Sequence, residues 1–278
     1  MSKVLITGDK GYIGTKLKSF LKKKEVNVFT LKKRIDKDFI KNKNLPIADI
    51  VVHLAAKTNV PKSWNYEDDY IVHNINSTKY ILDYCVKNKC KMIFISSYLY
   101  GNTKKIPTSE KSALKTLNPY ALSKKMCEDM CYFYEKYYGI NLIIIRPFNI
   151  YGPDQNTSWL ISNIINQVKN KKKIILMSLH QKRDYIYIDD FSDLIYTLIE
   201  KNLSKGTFNL GSGRSYSIKN VVDIVQKINK SKKIIVNQNI IRKNDIMETK
   251  ADISKLYDVL QWKPKWSLKN GIALILKK

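Results

Sequence analysis

The sequence predicts a doubly wound α/β fold, a parallel sheet with helices on both faces, followed by a smaller mixed α/β part. Three observations carry this. Near-continuous apolar runs (KVLITG, VNVFTL, DIVVHLAA, KMIFISS, NLIIIRP) alternate with helical patterns through the first half, as expected of strands buried on both faces. The first run feeds a glycine-rich turn, TGDKGYIG, which leads into the amphipathic stretch TKLKSFLKKK. Beyond Gly152 the connections lengthen and the pattern becomes mixed.

Taken in order, KVLITG is a strand and residues 12–24 a helix. VNVFTL and DIVVHLAA are the next strands. A long helix follows in which Ile71, Ile75, Thr78, Leu82 and Cys85 recur at helical spacing and define the expected buried face. KMIFISS is a strand, and a helix begins near residue 119 and stops near Gly139, before NLIIIRP. SWLISNIINQVKN and IKNVVDIVQKI read as helices and KIILMS as a short strand. The expected domains are 1–152 with 183–213 as the main sheet domain, and 153–182 with 214–278 as a smaller cap. Ligands of open α/β sheets bind at the carboxyl edge of the strands.

With 278 residues and 44% hydrophobic content the chain is expected to be an ordered globular protein. No apolar run approaches the roughly 18 residues that cross a bilayer, and MSKVLITG lacks the features of a signal peptide. A soluble, cytoplasmic protein with no membrane partner is expected. The formal charge of +26 invites a nucleic-acid reading. Against it, 45 of the 50 basic residues are lysines spread along the whole chain, whereas arginine makes most bidentate base contacts. Nucleic acid is therefore not the expected partner. Cys85, Cys90, Cys127 and Cys131, and the three histidines, show no metal-ligand spacing, so no metal is expected.

Two constellations carry chemistry. Closely spaced Gly8, Gly11 and Gly14, after a strand and before a helix, let the backbone approach a pyrophosphate at the helix N-terminus. In NPYALSKKMCE, Tyr120 and Lys124 lie one helical turn apart on one side, and Ser96 and Ser97 end the strand KMIFISS. A phenol with pKa near 10 transfers protons poorly at neutral pH unless that value falls by about three units, roughly 4 kcal/mol of preference for phenolate. An adjacent ammonium and a cationic nicotinamide are able to supply it. The bland alternative is a surface Tyr–Lys pair on a Tyr- and Lys-rich helix.

In order along the chain, TGDKGYIG, HLAA (53–56), SSYLYG (96–101), PYALSK (119–124), RPFNIYGP (146–153), RDYIYIDD (183–190) and FNLGSG (208–213) resemble the extended short-chain dehydrogenase/reductase family, in its nucleotide-sugar epimerase, dehydratase and 4-ketoreductase branch. The resemblance runs through RKNDIMETKADISKL and LQWKPKWSLKNGI to the end of the chain. It implies a Rossmann domain with a substrate-binding cap and a dinucleotide cofactor. It implies that Tyr120 is the acid/base, that Lys124 holds the nicotinamide ribose and lowers the tyrosine pKa, and that Ser96 bonds the reacting oxygen. Gly8, Lys10, Gly11, Tyr12, Ile13 and Gly14, with Leu54, Ala55, Ala56, Lys57 and Pro147, are expected on the cofactor. Ser97, Tyr98, Asn149, Arg183 and Arg242 are expected on the substrate, the alternative for Arg183 being an ion pair with Asp184 or Asp190. A homodimer through the helices around Tyr120 is a further implication.

Relatives that prefer NAD end the second strand with an acid that bonds the adenosine ribose. Here Lys32 stands in that place with Lys33 and Arg34 beside it. These cations attract a 2′-phosphate, so NADP(H) is favoured and NAD(H) stays open. Only about twenty residues separate VFTL from IVVHLAA where the family has a further strand, leaving adenine recognition open. Dehydratases carry an Asp-Glu pair where this chain has Ser97 and Tyr98, which disfavours dehydration. A 4-ketoreductase acting on a nucleotide-linked 4-keto-6-deoxyhexose is favoured. A 4-epimerase with tightly held NAD is the alternative, and a non-catalytic dinucleotide sensor is the minor one.

Overall fold

The computed structural model describes residues 2–31, 35–36, 38–41, 45–201, 203–240 and 244–277. Lys32, Lys33, Arg34 and Arg242 lie outside the described residues.

The chain forms two compact units, the first comprising Met1–Gly101, Glu110–Pro147 and Ser192–Phe208, the second Asn102–Ser109, Phe148–Phe191 and Asn209–Lys278. Its elements in order are β1 (Lys3–Thr7), α1 (Tyr12–Lys23), β2 (Asn27–Thr30), β3 (Ile50–His53), α2 (Val60–Ser63), α3 (Glu67–Asn88), β4 (Lys91–Ile95), α4 (Pro119–Tyr138), β5 (Leu142–Pro147) and β6 (Asn149–Tyr151). There follow α5 (Leu160–Asn170), β7 (Lys173–Leu176), β8 (Lys182–Tyr187), α6 (Ile188–Glu200), β9 (Gly206–Leu210), β10 (Ser215–Ser217), α7 (Ile218–Ile228), β11 (Ile234–Asn237), α8 (Ser254–Leu260) and α9 (Leu268–Lys277).

The first unit is built on a six-stranded sheet in the order β2-β1-β3-β4-β5-β9. Its β1, β2, β3, β4 and β5 pair in parallel. Strands β4 and β5 are buried at every position, which is why they read as unbroken apolar runs. Strand β2 is the edge, and no described residue forms a strand outside it. The gap of about twenty residues therefore stands where the family's further strand would be.

Between α3 and α4 the core holds Cys85, Cys127 and Cys131 as free buried thiols. The buried face of α3 differs from the apolar stripe. Tyr70, Asn74, Ser77, Thr78, Ile81, Leu82, Tyr84 and Cys85 are buried, while Ile71 and Ile75 are only half-buried. Polar side chains take part in the packed face because they hydrogen-bond inside it. Asn118 caps α4 by accepting from Ala121 N at 2.8 Å, Pro119 occupies the first turn, and Gly139 ends the helix in the left-handed region.

The second unit contains a three-stranded sheet, β10-β8-β6, and a parallel pair, β11-β7. Its boundaries depart from those read in the sequence. Residues 102–109 belong here because Thr108 bridges Ala251 and the Asn102 side chain bonds the backbone of Asp245 and Met247. Residues 183–191 belong here because β8 pairs with β6 and β10, not with the large sheet.

A buried chain of hydrogen bonds crosses the first unit beneath the glycine turn. Ala55 N donates to Thr7 Oγ1 at 3.2 Å, and Thr7 Oγ1 lies 2.7 Å from His53 Nδ1. His53 Nε2 lies 3.2 Å from Thr78 Oγ1, which donates to Asn74 O at 2.8 Å. These partners assign the proton to Nε2. Burial, then the charges of Lys124 and His73, push His53 down from 6.5 to about 3.

Two outcomes are expected. Asn118→Ala removes the cap of α4 and lowers unfolding free energy by about 1 kcal/mol in denaturant titrations. Because the folded pKa of His53 is depressed, its contribution is present above about pH 6.5. It is lost as pH falls toward 3, at roughly 1.4 kcal/mol per unit. Unfolding free energy measured across that window is expected to fall less steeply in His53→Gln than in the parent. Equal slopes would contradict the assignment.

Candidate active site

The glycine turn packs too closely for side chains at two positions. Gly8 has φ +71, and a Cβ there would lie 2.8 Å from Ala55 N and 2.9 Å from Leu54 C. A Cβ on Gly14 would lie 2.2 Å from Gly8 O. The first glycine lets β1 and the chain after β3 meet, and the third lets α1 sit on the turn. Gly11 is the cap of α1 and offers no side chain to its N-terminus, leaving those N–H groups open to an anion. Asp9 is drawn aside to Lys18 at 2.8 Å, and Lys10 is exposed. These features fit a dinucleotide pyrophosphate. Tyr12, Ile13, Leu54, Ala55 and Ala56 are half-buried around this turn, and Pro147 is buried at the end of β5. Lys57 is fixed differently from a free cofactor contact, because its ammonium pairs with Asp69 at 2.6 Å.

Helix α4 carries Tyr120 and Lys124. Lys124 is only 3% exposed, so a surface pair is ruled out. Its Nζ sits 4.1 Å from the centroid of the Phe94 ring, and no carboxylate pairs with it among the described residues. Burial lowers its pKa, while Cys127, Cys131 and Glu128 oppose that shift. On Tyr120 the chain's own groups act as follows. Burial raises its pKa, the Ser97 hydroxyl counteracts this in part, and Lys124 is not among the groups acting on it. The chain by itself thus holds Tyr120 as a neutral phenol, because desolvation outweighs the nearby dipole.

The two serines after β4 divide differently from the sequence reading. Ser97, expected on the substrate, bears on the Tyr120 phenol. Ser96 is 4% exposed and its Oγ has no partner among the described residues, so it remains available to a reacting oxygen. Tyr98 donates its hydroxyl to Gly101 O at 2.6 Å.

Sequence reasoning missed Asn74. Its Oδ1 accepts from Lys57 N at 2.7 Å, and its Nδ2 donates to Lys57 O at 3.1 Å and to Ser123 Oγ at 2.9 Å. Ser123 in turn donates to Tyr120 O at 2.8 Å. Three-dimensional neighbours alone reveal it, since a lone Asn on a helix face carries no spacing signal.

In the second unit, the register sets Asn149 opposite Tyr185 and Tyr216 opposite Arg183, placing Asn149 and Arg183 on one sheet face. Asn149 Nδ2 donates to Asp184 O at 2.9 Å. Arg183 pairs with neither Asp184 nor Asp190. Its Nη2 bonds Asp245 at 3.0 Å and its Nη1 bonds Lys182 O at 3.0 Å. Asp184 instead accepts from Ser212 N, Ser212 Oγ, Gly213 N and Ala251 N, and burial nevertheless pushes its carboxyl up to about 6. Gln181 also bonds Asp245, at 3.3 Å. Among the described residues no cluster of His, Cys, Asp or Glu could hold a metal, and no helix is long and apolar enough to cross a membrane.

Comparison with known proteins places this geometry. Residues 4–211 match the model of the NAD dependent epimerase/dehydratase family. The chain is 33% identical to GDP-6-deoxy-D-talose 4-dehydrogenase of Aggregatibacter actinomycetemcomitans, over 93% of this chain and 91% of that protein. It is 31% identical to the uncharacterized UDP-glucose epimerase YtcB of Bacillus subtilis, over 98% and 96%. Among solved structures, RMD from Pseudomonas aeruginosa complexed with NADPH superposes with a TM-score of 0.90 at 22% identity, covering 100% of this chain and 98% of that one. UDP-glucose 4-epimerase of Thermotoga maritima with UDP-glucose gives 0.90 at 23% identity, covering 99% and 97%. The fold is the Rossmann fold of these enzymes, and the chain belongs to the NAD-dependent epimerase/dehydratase family, as an NAD(P)-dependent enzyme of the nucleotide-sugar epimerases, dehydratases and reductases.

Proposed function

We propose that the protein is an NADP(H)-dependent 4-ketoreductase acting on a nucleotide-linked 4-keto-6-deoxyhexose. The observation that carries this is the buried Ser96 hydroxyl after β4, with no partner among the described residues, together with Tyr120 and the buried Lys124 one turn apart on α4. A ketone being reduced needs a donor for its oxygen, and a phenol kept neutral by burial is that donor. A reduced dinucleotide, held by the glycine turn and Lys124, would supply the hydride that C4 receives. Ser96 hydrogen-bonds the carbonyl oxygen, and Tyr120 gives that oxygen its proton, so the ketone becomes a secondary alcohol. Ser97 orients the phenol. Lys124 holds hydroxyls of the cofactor ribose, and the turn of Gly8, Gly11 and Gly14 takes the pyrophosphate. Asn149 and Arg183 take the substrate diphosphate, where Arg183 keeps three of its five N–H groups after bonding Lys182 and Asp245.

Support for the phosphorylated cofactor is the run Lys32, Lys33 and Arg34 after an edge strand. Long cations can reach a 2′-phosphate without a fixed strand beside them, whereas a carboxylate bonding a ribose diol needs fixed geometry. The similarity to GDP-6-deoxy-D-talose 4-dehydrogenase is in keeping with C4 chemistry on a deoxyhexose. A second reading is an NAD-dependent 4-epimerase, favoured by the similarity to a UDP-glucose epimerase. Four free buried thiols fit a reducing compartment, and we place the protein in the cytoplasm.

The exposed side chains Leu122, Met126, Phe133 and Tyr137 lie along one stripe of α4. We assign this stripe to a homodimer contact.

The reaction is tested by denaturing the purified protein and identifying any released dinucleotide by mass spectrometry, then assaying 4-keto-6-deoxy nucleotide sugars with NADPH and NADH. Stoichiometric NAD with no ketoreductase activity selects the epimerase. Tyr120→Phe is expected to keep dinucleotide affinity and lose at least about 100-fold in kcat; full turnover would refute the proton-donor role. Light scattering is expected to give twice the 32.4 kDa chain mass, and Phe133→Lys with Met126→Lys to return the mass of one chain.

A further inference from the structure

The glycine turn contains an acid in the very place where an anion is expected to dock. Asp9 stands between Gly8 and Gly11 and is 8% exposed. Its backbone is fixed from two sides. A Cβ on Gly14 would come within 2.7 Å of the Asp9 Cα, and Thr15 Oγ1 donates to Asp9 O at 3.1 Å. The turn is closed by Gly11 N donating to Gly8 O at 3.0 Å, and Thr15 N donates to Gly11 O at 2.9 Å. The carboxylate therefore swings from a fixed point at the start of α1.

An aspartate at the start of a helix ordinarily accepts from the open N–H groups of the first turn, toward which the helix dipole also attracts it. Here it does not. Gly11 is the cap of α1, no side chain caps the helix, and its first turn holds no acidic residue. Asp9 Oδ2 instead accepts from Lys18 Nζ at 2.8 Å. Lys18 lies one turn beyond Gly14 on α1, and the Lys18 and Asp9 side chains are 31% and 12% exposed. A pair that open contributes little stability, which leaves its placement as the feature to explain. A rival acceptor sits in the same turn as the groups that a pyrophosphate needs, and one lysine draws it off them.

We propose that Lys18 is a positioning residue for the dinucleotide: by holding the Asp9 carboxylate it keeps the N-terminus of α1 free for the pyrophosphate and offsets the negative charge that would repel it. This rests on the assignment of the glycine turn to the cofactor. Lys18 acts through Asp9 and needs no contact with the ligand. Released from Lys18, the carboxylate competes with the pyrophosphate for the same N–H groups and repels it.

The measurement is the affinity for NADPH and NADH by fluorescence titration, with melting curves alongside. Lys18→Met is expected to bind the tighter of the two about fivefold more weakly than the parent at low salt. That ratio is expected to shrink between about 0.01 M and 1 M salt, since the charges are screened there. Asp9→Asn combined with Lys18→Met is expected to regain the parent's affinity, because the rival charge is gone, and Lys18→Arg to keep it. Asp9→Asn alone is expected to bind at least as tightly as the parent, which tests the proposal even where Lys18→Met fails to fold. Parent-like affinity in Lys18→Met overturns the proposal, as does a loss that salt leaves unchanged. A double variant as weak as Lys18→Met also overturns it, because Lys18 then acts on the ligand or on the fold and not through Asp9. Weaker binding in Asp9→Asn does the same, since the carboxylate is then helping. A parent that binds neither dinucleotide overturns the cofactor assignment itself, and this proposal with it.

Discussion

The side-chain amide of Asn74 is the constraint on which the site depends. It accepts from Lys57 N and donates to Lys57 O and Ser123 Oγ, so both ends of the amide are used and neither can flip without breaking bonds. Asn74 is 1% exposed, and each of those groups, left unpaired in the interior, would cost about 1–3 kcal/mol. One side chain thus joins the segment after β3, which meets the glycine turn, to the helix that carries Tyr120 and Lys124. Thr78, one turn further along α3, extends the join through His53 to Thr7 at the end of β1. The polar layer under the site is closed and satisfied. Ser96 Oγ, a buried hydroxyl with no hydrogen-bond partner among the described residues, follows β4 in the same unit, where a ligand is able to complete the accounting.

The parts of this arrangement that the sequence announces are local. The strand that feeds three glycines and a helix, the Asn-Pro start and Gly139 stop of α4, and the buried runs of β4 and β5 each follow from residues close together in the chain. Periodicity failed on α3 because it counts apolar residues, and the face that packs contains Asn74, Ser77 and Thr78. The alternative weighed for Arg183, an ion pair with Asp184 or Asp190, does not form, for a different reason. Asp184 and Asp190 are near in sequence, but Asp184 alternates to the opposite side of β8 and is held by Ser212, Gly213 and Ala251. Asp245, the actual partner, arrives from a segment 62 positions away. The division of labour between Ser96 and Ser97 is equally invisible in a run of two identical residues, since it depends on which way each points as the strand ends.

Desolvation decides the charges at the site. The surface lysines that give the chain its +26 charge are screened over about 8 Å at physiological ionic strength, so they do little to set the state of a buried phenol. At the site itself burial pushes Tyr120 up and Lys124 down, driving both toward neutrality. A protein that relied on Lys124 alone to make a phenolate would be opposing its own burial. The geometry resolves this by giving the two residues different supports. The Ser97 hydroxyl acts on the Tyr120 phenol against its burial, while the Lys124 ammonium lies over the face of the Phe94 ring. In the proposed reaction the acid and the cation then sit one turn apart in a dry site, each in the form that the reaction uses.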